Sequence, residues 1–325
     1  MKARRLVSLA VGLTGAVSAA FTYRAFRSEM NRADKRVSTG SQLVHTRSGP
    51  IEYSSVGEGF PLLIIHGAGG GFDQLRGFES DIRLSELGFR LIFVSRFGYL
   101  RSALPEDAST RAQSETYAQL LDALSIDRAA VIAVSAGAPS GLQFCANYPE
   151  RCTALALLVP AAFVPGLAAT APEAPPLTEL IRNTLLKSDF AFWLAIKVAR
   201  KTMIENIAAT PFEVAERANA AERRRIDTVL TDILPVSQRR AGLLNDAAVV
   251  THLEQADLSR IKVPTLLVSA EDDLYGTFRS ARYLAKEIHG ARLVIYPDGG
   301  HLWIGHHEEF RKELKSFLQP FGAGA

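Results

Sequence analysis

Eight short apolar runs separated by helix-compatible stretches predict an α/β fold, a mostly parallel eight-stranded sheet with helices on both faces. Three observations carry that expectation. Residues 61–65 and 129–132 are apolar at consecutive positions, and 263–268 are so apart from Thr265, as strands buried on both faces require. Helical patterns fall between most of the strand-like runs. Finally, about a hundred residues between Val159 and Val263 contain no strand-like run, which is too long for a structureless loop. They predict an inserted helical cap over about residues 161–260.

The chain begins with Lys2, Arg4 and Arg5, then eighteen uncharged residues, 6–23, then Arg24 and Arg27. That length is near the lower limit for a spanning helix and long for the apolar core of an export signal. Ala16-Val17-Ser18 and Ser18-Ala19-Ala20 offer cleavage points, whereas Arg24 and Arg27 look like a membrane-stop flank. Three readings follow: an uncleaved transmembrane anchor, a cleaved export signal, or a soluble tail. The first two place the protein at or beyond a membrane; the third is the cytoplasmic alternative. Residues 28–40 are polar and charged and read as a linker. Residues 1–36 are therefore set apart as a targeting segment, and 37–325 as the globular body.

Within the body, strands are expected at 42–46, 51–56, 62–65, 90–95, 130–134, 154–159, 266–269 and 292–296. A Ser48-Gly49-Pro50 turn joins the first two. Helices are expected at 72–87, 110–124, 137–148, 280–289 and 308–318. The long insertion opens with Pro160, Pro165, Pro172, Pro175 and Pro176, then shows helical periodicity at 177–186, 190–207, 211–221 and 226–234. Phe190, Phe192, Trp193, Leu194 and Met203 either pack these helices together or line a pocket, and packing is favoured for any one of them. Arg223-Arg224-Arg225 and Arg239-Arg240 read as solvated helix faces.

Four segments carry chemistry. Ala133-Val134-Ser135-Ala136-Gly137 sits where an apolar run gives way to a helix-compatible stretch. A serine between small residues at such a junction is the nucleophile-elbow pattern, which exposes its hydroxyl at a sharp turn. The helix that follows aims its first amides at the site, and Pro139 suits a first turn whose amides need no intrahelical acceptor. Earlier, the run 61–65 leads into His66-Gly67-Ala68-Gly69-Gly70-Gly71. Glycines let backbone amides approach a bound oxyanion. Ala68 or Gly69 is the candidate for one oxyanion donor and Ala136 for the other. This loop lacks the Lys-Ser/Thr of a phosphate-binding loop, and Phe72 stands where a dinucleotide fingerprint needs glycine.

The third segment is Ser269-Ala270-Glu271-Asp272-Asp273, just past a strand, where a carboxylate can reach an imidazole. Asp273 is the first choice for that acid and Asp272 its close rival. The fourth is Asp298-Gly299-Gly300-His301, whose glycine pair lets His301 turn back over the strand ends. His306 and His307 lie too near the next helix to be first choices. In a parallel sheet these groups all fall at the carboxyl ends of the strands, where ligands bind.

The order Ser135, Asp273, His301 and the motifs around it resemble the α/β-hydrolases, specifically the cap-bearing type. The resemblance covers most of residues 41–320 and rests on His66-Gly67, the elbow with Gly137, the Asp273 turn and Gly300-His301. Ser95-Arg96-Phe97-Gly98-Tyr99-Leu100-Arg101-Ser102 is similar to the family's Asp-Arg-Pro-Gly-x-Gly-x-Ser stretch, with Ser95, Phe97 and Leu100 replacing Asp, Pro and Gly. Ala133 replaces the first elbow glycine, and Ser269-Ala270 stands where His-Gly is common. The resemblance implies a serine hydrolase acting on a small ester or related carbonyl substrate by a Ser-His-Asp triad, without metal or redox cofactor. Its alternatives are a carbon–carbon bond hydrolase of ring-cleavage type and a non-enzymatic small-molecule receptor on the same fold.

The net charge of +3 is unevenly spread. Residues 1–36 hold eight Lys or Arg and two Asp or Glu, which leaves 29 against 32 in the rest. The body is therefore not basic, and nucleic acid is excluded as a partner; a small-molecule substrate is expected, with membrane association through the N-terminal segment. Cys145 and Cys152 give no disulfide framework and are expected to be two buried free thiols.

Overall fold

The computed structural model describes residues 2–166 and 184–322, with side chains from residue 19 onward except Leu75, Arg76 and Phe78. The eight expected strands form one sheet. They are β1 (Gln42–Thr46), β2 (Gly49–Val56), β3 (Phe60–Ile65), β4 (Phe89–Val94), β5 (Ala129–Val134), β6 (Cys152–Leu158), β7 (Thr265–Ala270) and β8 (Arg292–Tyr296). Their order across the sheet is β1-β2-β4-β3-β5-β6-β7-β8. Only β1–β2 and β2–β4 pair antiparallel; from β4 to β8 every pairing is parallel.

Helix α1 (Lys2–Ser38) precedes the sheet, and α2 (Gln74–Ile82), α3 (Thr110–Ala123) and α4 (Ala138–Asn147) follow β3, β4 and β5. Between β6 and β7 the described residues contain α5 (Asp189–Val198), α6 (Arg200–Ile207), α7 (Phe212–Arg217), α8 (Ala220–Asp232) and α9 (Arg240–Thr251). Helix α10 (Thr277–Glu287) follows β7, and α11 (His307–Leu318) follows β8.

Successive side chains of a strand face opposite sides of the sheet, and the apolar runs therefore feed two cores. Leu63, Ile65, Val131 and Leu157 pack with Tyr117 and Leu121 of α3, Phe144 of α4 and Leu284 of α10. Leu62, Ile64, Ile132 and Leu158 pack on the other face with Ile82 of α2 and Phe310 and Leu314 of α11. Helical cover on both sides is the reason these strands are apolar at consecutive positions.

Helices differ from expectation more than strands do. The single helix expected at 190–207 breaks at Ala199 into α5 and α6. The one expected at 211–221 ends at Arg217, because Asn219 opens α8 instead. The Asn219 side chain accepts from the Glu222 amide while Glu222 accepts from the Asn219 amide, a reciprocal capping box. Helix α9 was not anticipated: its apolar residues keep no clear helical period and it contains Gly242. Residues 177–183 of the first expected insertion helix lie outside the described residues.

Where composition suggested a linker, α1 continues to Ser38 and packs on the insertion. Met30 and Ala33 are buried against Trp193, Ile196 and Leu234, one stripe at helical spacing. Phe26 meets Phe190 and Trp193 edge-on at 5.1 and 5.6 Å. Glu29 accepts from the Trp193 indole at 2.9 Å and pairs with Lys197 at 2.9 Å. Arg36 binds Asp73 at 2.7 Å and the Leu234 carbonyl at 2.6 Å. Among the described residues no helix is long and apolar enough to cross a membrane, as the anchor, one of the three readings of this segment, requires. From Arg24 onward α1 carries charge on nearly every turn, and of these residues Glu29 and Arg36 contact the body.

Cys145 and Cys152 are joined as a disulfide, which corrects the expectation of two free thiols. The short return from α4 to β6 brings their Cα atoms to 5.4 Å, within bridging distance.

Burial raises the Asp232 carboxyl to about 6, with Arg36 partly opposing the shift. A folded carboxyl that holds its proton more tightly than the unfolded chain penalises folding once ionised. That penalty is absent below the unfolded value of 3.8 and complete above about 6. Asp232→Asn is therefore expected to raise Tm at about pH 8 and to lose this advantage by about pH 4, read by thermal denaturation across pH.

Candidate active site

Strand β5 ends at Val134, and Ser135 adopts φ +50° before a tight turn leads into α4. A left-handed non-glycine residue costs about 1–3 kcal/mol and persists only where its surroundings over-determine it. Here they do. A Cβ on Gly137 would stand 2.4 Å from the His66 carbonyl, and one on Gly67 would stand 3.1 Å from Ser135 Cβ. The elbow, the start of α4 and the loop after β3 are thus packed backbone to backbone, which requires small residues there. The Ser135 carbonyl accepts from Ala161 N–H at 3.2 Å.

The loop after β8 brings His301 to the serine. Gly299 and Gly300 take φ +113° and +62°, values that favour glycine. Asp272 holds this turn by accepting from the amides of Gly299 and Gly300 at 3.1 and 2.7 Å. Asp273 takes the imidazole: its Oδ2 lies 2.8 Å from His301 Nδ1, and His301 Nε2 lies 2.9 Å from Ser135 Oγ. The two rival carboxylates therefore have separate tasks. Asp273 also accepts from Tyr275 N–H at 2.9 Å and from the Thr277 hydroxyl, which in turn contacts Ser269 Oγ at 3.0 Å. An ionised carboxylate only accepts, so His301 Nδ1 carries the proton and Nε2 is left to accept from Ser135. His306 pairs with Asp298 at 2.7 Å, and His307 sits against Asp81.

Insertion and body meet at this point. The Ala209 carbonyl, between α6 and α7, accepts from Leu274 N–H at 3.0 Å and His301 N–H at 3.3 Å. One residue of the insertion thereby holds the acid loop and the histidine loop together.

The glycine loop after β3 lies beside the serine. Of its two candidate donors, Gly69 is already engaged: its N–H donates to the Tyr99 hydroxyl at 3.1 Å. That contact leaves Ala68 as the remaining candidate of the pair, with Ala136, in the turn before α4, as the other candidate donor. His66 does not reach the serine hydroxyl. Its Nδ1 donates to the Gly67 carbonyl at 2.6 Å and its Nε2 accepts from Arg96 N–H at 3.0 Å. Burial first, then the Arg96 charge, hold its pKa well below the usual histidine range, so the ring is neutral. Its part is to shape the loop.

Several residues around this loop escaped the sequence reading. Arg239 is fully buried rather than solvated, and donates to the Gly70 carbonyl at 2.6 Å and to Asp73 at 2.8 Å. Asp73 also receives Arg36, and the two arginines hold its carboxyl below the ordinary value against the effect of burial. Arg96 pairs with Asp246 of α9 through both carboxylate oxygens at 2.6 Å. Sequence spacing offered no sign of the Arg239–Asp73 and Arg96–Asp246 pairs, whose members lie 166 and 150 positions apart.

The departures from the family stretch have physical counterparts. Ser95 stands where an acid is usual, and Glu52 of β2 supplies a buried carboxylate to Ser95 at 3.2 Å and Arg101 at 2.6 Å. Leu100 takes φ +53°, the conformation for which the family uses glycine.

A family model of the alpha/beta hydrolase fold matches residues 61–305. The chain belongs to the α/β-hydrolase fold family. It is 28% identical over 266 residues to the uncharacterized hydrolase YcgS of Bacillus subtilis, covering 79% of this chain and 90% of that protein. It is 25% identical over 275 residues to 2-hydroxy-6-oxo-6-phenylhexa-2,4-dienoate hydrolase of Comamonas testosteroni, covering 83% and 91%. Among solved structures, an alpha/beta hydrolase fold protein from Nakamurella multipartita superposes with a TM-score of 0.66 at 26% identity, covering 86% of this chain and 99% of that one. The protein is a hydrolase.

The close approach at the elbow gives a direct test. Gly137→Val should destabilise this hydrolase by at least about 2–3 kcal/mol, because its branched side chain meets backbone that cannot yield. Chemical denaturation of the purified variant measures this, and an unchanged midpoint would contradict the packing described.

Proposed function

We propose that the hydrolase cleaves an uncharged ester or closely related carbonyl compound through an acyl-enzyme on Ser135. The supporting observation is the unbroken hydrogen-bonded line from Asp273 through His301 to Ser135. Ser135 Oγ attacks the carbonyl carbon as His301 Nε2 takes its proton. Asp273 holds the imidazole tautomer and stabilises the imidazolium that forms. The amides of Ala68 and Ala136 receive the oxyanion of the tetrahedral intermediate, each contributing about 3 kcal/mol. Collapse breaks the bond to the leaving oxygen, which takes the proton from His301. A water molecule, deprotonated by the same nitrogen, then releases the acid and restores the serine. The insertion serves as the cap, at about residues 161–260.

The buried charges favour a neutral substrate. The Comamonas testosteroni relative is named for a 6-oxo dienoate, whose carboxylate, at the far end of the chain from the oxo carbon, calls for a cation in the pocket. In this chain the two buried arginines beside the glycine loop are already neutralised, Arg96 by Asp246 and Arg239 by Asp73. Ester cleavage therefore has more support than carbon–carbon cleavage of such an acid.

Ser135→Ala in the full chain should reduce hydrolysis of neutral p-nitrophenyl esters to the uncatalysed rate while leaving the circular dichroism unchanged. Asp273→Asn should lower kcat by about 10³–10⁴ by imposing the wrong tautomer, and Asp272→Asn should lower it far less. Near-normal turnover by Ser135→Ala would overturn the reading, and equal losses at the two aspartates would overturn the assignment of the acid.

A further inference from the structure

We propose that Asp246, carried by α9 of the insertion, is a positioning residue for the oxyanion site and aims the Ala68 amide through Arg96 and Tyr99. This rests on the acyl-enzyme reading and extends it to a residue that touches neither substrate nor serine. Asp246 is almost wholly buried and accepts from two donors. Arg96 donates to it from both terminal nitrogens at 2.6 Å, and the Tyr99 hydroxyl donates to Oδ2.

Each of these donors also grips the glycine loop, one on either side of Ala68. Before it, Arg96 Nε donates to the His66 carbonyl at 2.8 Å and Arg96 Nη2 to the Gly67 carbonyl at 3.2 Å. After it, Tyr99 accepts from Gly69 N–H at 3.1 Å. The peptide plane supplies the remaining step. The Gly67 carbonyl and the Ala68 N–H belong to one planar trans unit and point in opposite directions. The Gly67 oxygen is held by Arg96, by His66 Nδ1 at 2.6 Å and by Gly70 N–H at 3.3 Å. Fixing that oxygen fixes the direction of the Ala68 amide.

The contact is built closely on both sides. Gly242 N–H donates to the Gly98 carbonyl at 2.9 Å, and a Cβ on Gly242 would stand 2.2 Å from the Tyr99 ring. The Tyr99 hydroxyl remains protonated, since burial and the Asp246 charge push its pKa well above the usual tyrosine value. It therefore donates to Asp246 and accepts from Gly69 at once. Oxyanion donors act through placement, so a displaced Ala68 amide weakens binding of the transition state and leaves binding of the ester little changed.

The test uses the full chain with Asp246→Asn and Tyr99→Phe, beside wild type and Ser135→Ala. Active serines are counted by fluorophosphonate titration, kcat and KM are measured on p-nitrophenyl butyrate, and inhibition is measured with an aliphatic trifluoromethyl ketone. The proposal expects kcat per active serine to fall by about 10- to 100-fold in both variants, with KM within about twofold. The trifluoromethyl ketone, which forms a tetrahedral oxyanion on the serine, should lose affinity by the same factor. A lowered Tm with unchanged kcat per active serine would overturn the proposal, and so would a raised KM with unchanged kcat. If Asp246→Asn fails to fold, Tyr99→Phe decides, because it removes only the hydroxyl. A Ser135→Ala variant that keeps its activity sinks the acyl-enzyme reading itself. A dead Ser135→Ala beside normal Asp246→Asn and Tyr99→Phe sinks only the positioning role.

Discussion

The left-handed backbone of Ser135 is held against its own strain, and the rest of the site is arranged around that constraint. At φ +50° the serine stands clear of both β5 and α4, at the carboxyl ends of the parallel strands. It can stay there because Gly137 packs against the His66 carbonyl and Gly67 against Ser135 itself. The same contact brings the glycine loop beside Ser135. Relaxing the turn would move the hydroxyl, the first amides of α4 and the loop after β3 together. Strain at one residue and placement of three groups are therefore a single property of this packing.

Buried charge holds the second half of the site. Three acids, Glu52, Asp73 and Asp246, each take one or two arginines, and each pair fixes backbone near the glycine loop or the stretch after β4. Paired ions in an interior add little net stability, whereas losing one partner costs several kcal/mol, about 3–5. Their contribution here is geometric: Arg96 and Arg239 donate to carbonyls on both sides of Ala68. Because Asp246 and Arg239 belong to the insertion and Arg36 to α1, insertion and N-terminal helix are fastened to the backbone around the glycine loop as well as to one another. The functional unit accordingly includes α1, which packs its Met30 and Ala33 into the insertion.

The legible and illegible parts of this protein divide by range of interaction. Consecutive apolar residues at 62–65, 130–134 and 266–268 announced strands covered on both faces, and all eight expected strands are present. Ser135 and His301 were legible because an elbow and a glycine pair are local requirements of the chain. Asp273 and Asp272 could not be separated by spacing, since adjacent residues at a strand end differ only in which partner they reach. Arg239 read as solvated because a basic pair on a helical pattern usually is; its burial depends on Asp73, distant in sequence. Gly69 looked equivalent to Ala68 until Tyr99 claimed its amide. The region 28–38 read as a linker because its charges were counted without their partners, Trp193, Lys197, Asp73 and Asp232. The polar misses around the glycine loop are contacts between distant residues, which periodicity does not encode.

The account depends most on a covalent intermediate at Ser135, and pre-steady-state hydrolysis of p-nitrophenyl acetate by the full chain tests it directly. A burst of nitrophenol equal to the number of active serines, with acetyl mass on the peptide containing Ser135 after acid quench, is the predicted result. A linear time course with no acetylated serine, or acetyl mass on another residue during active turnover, would contradict it.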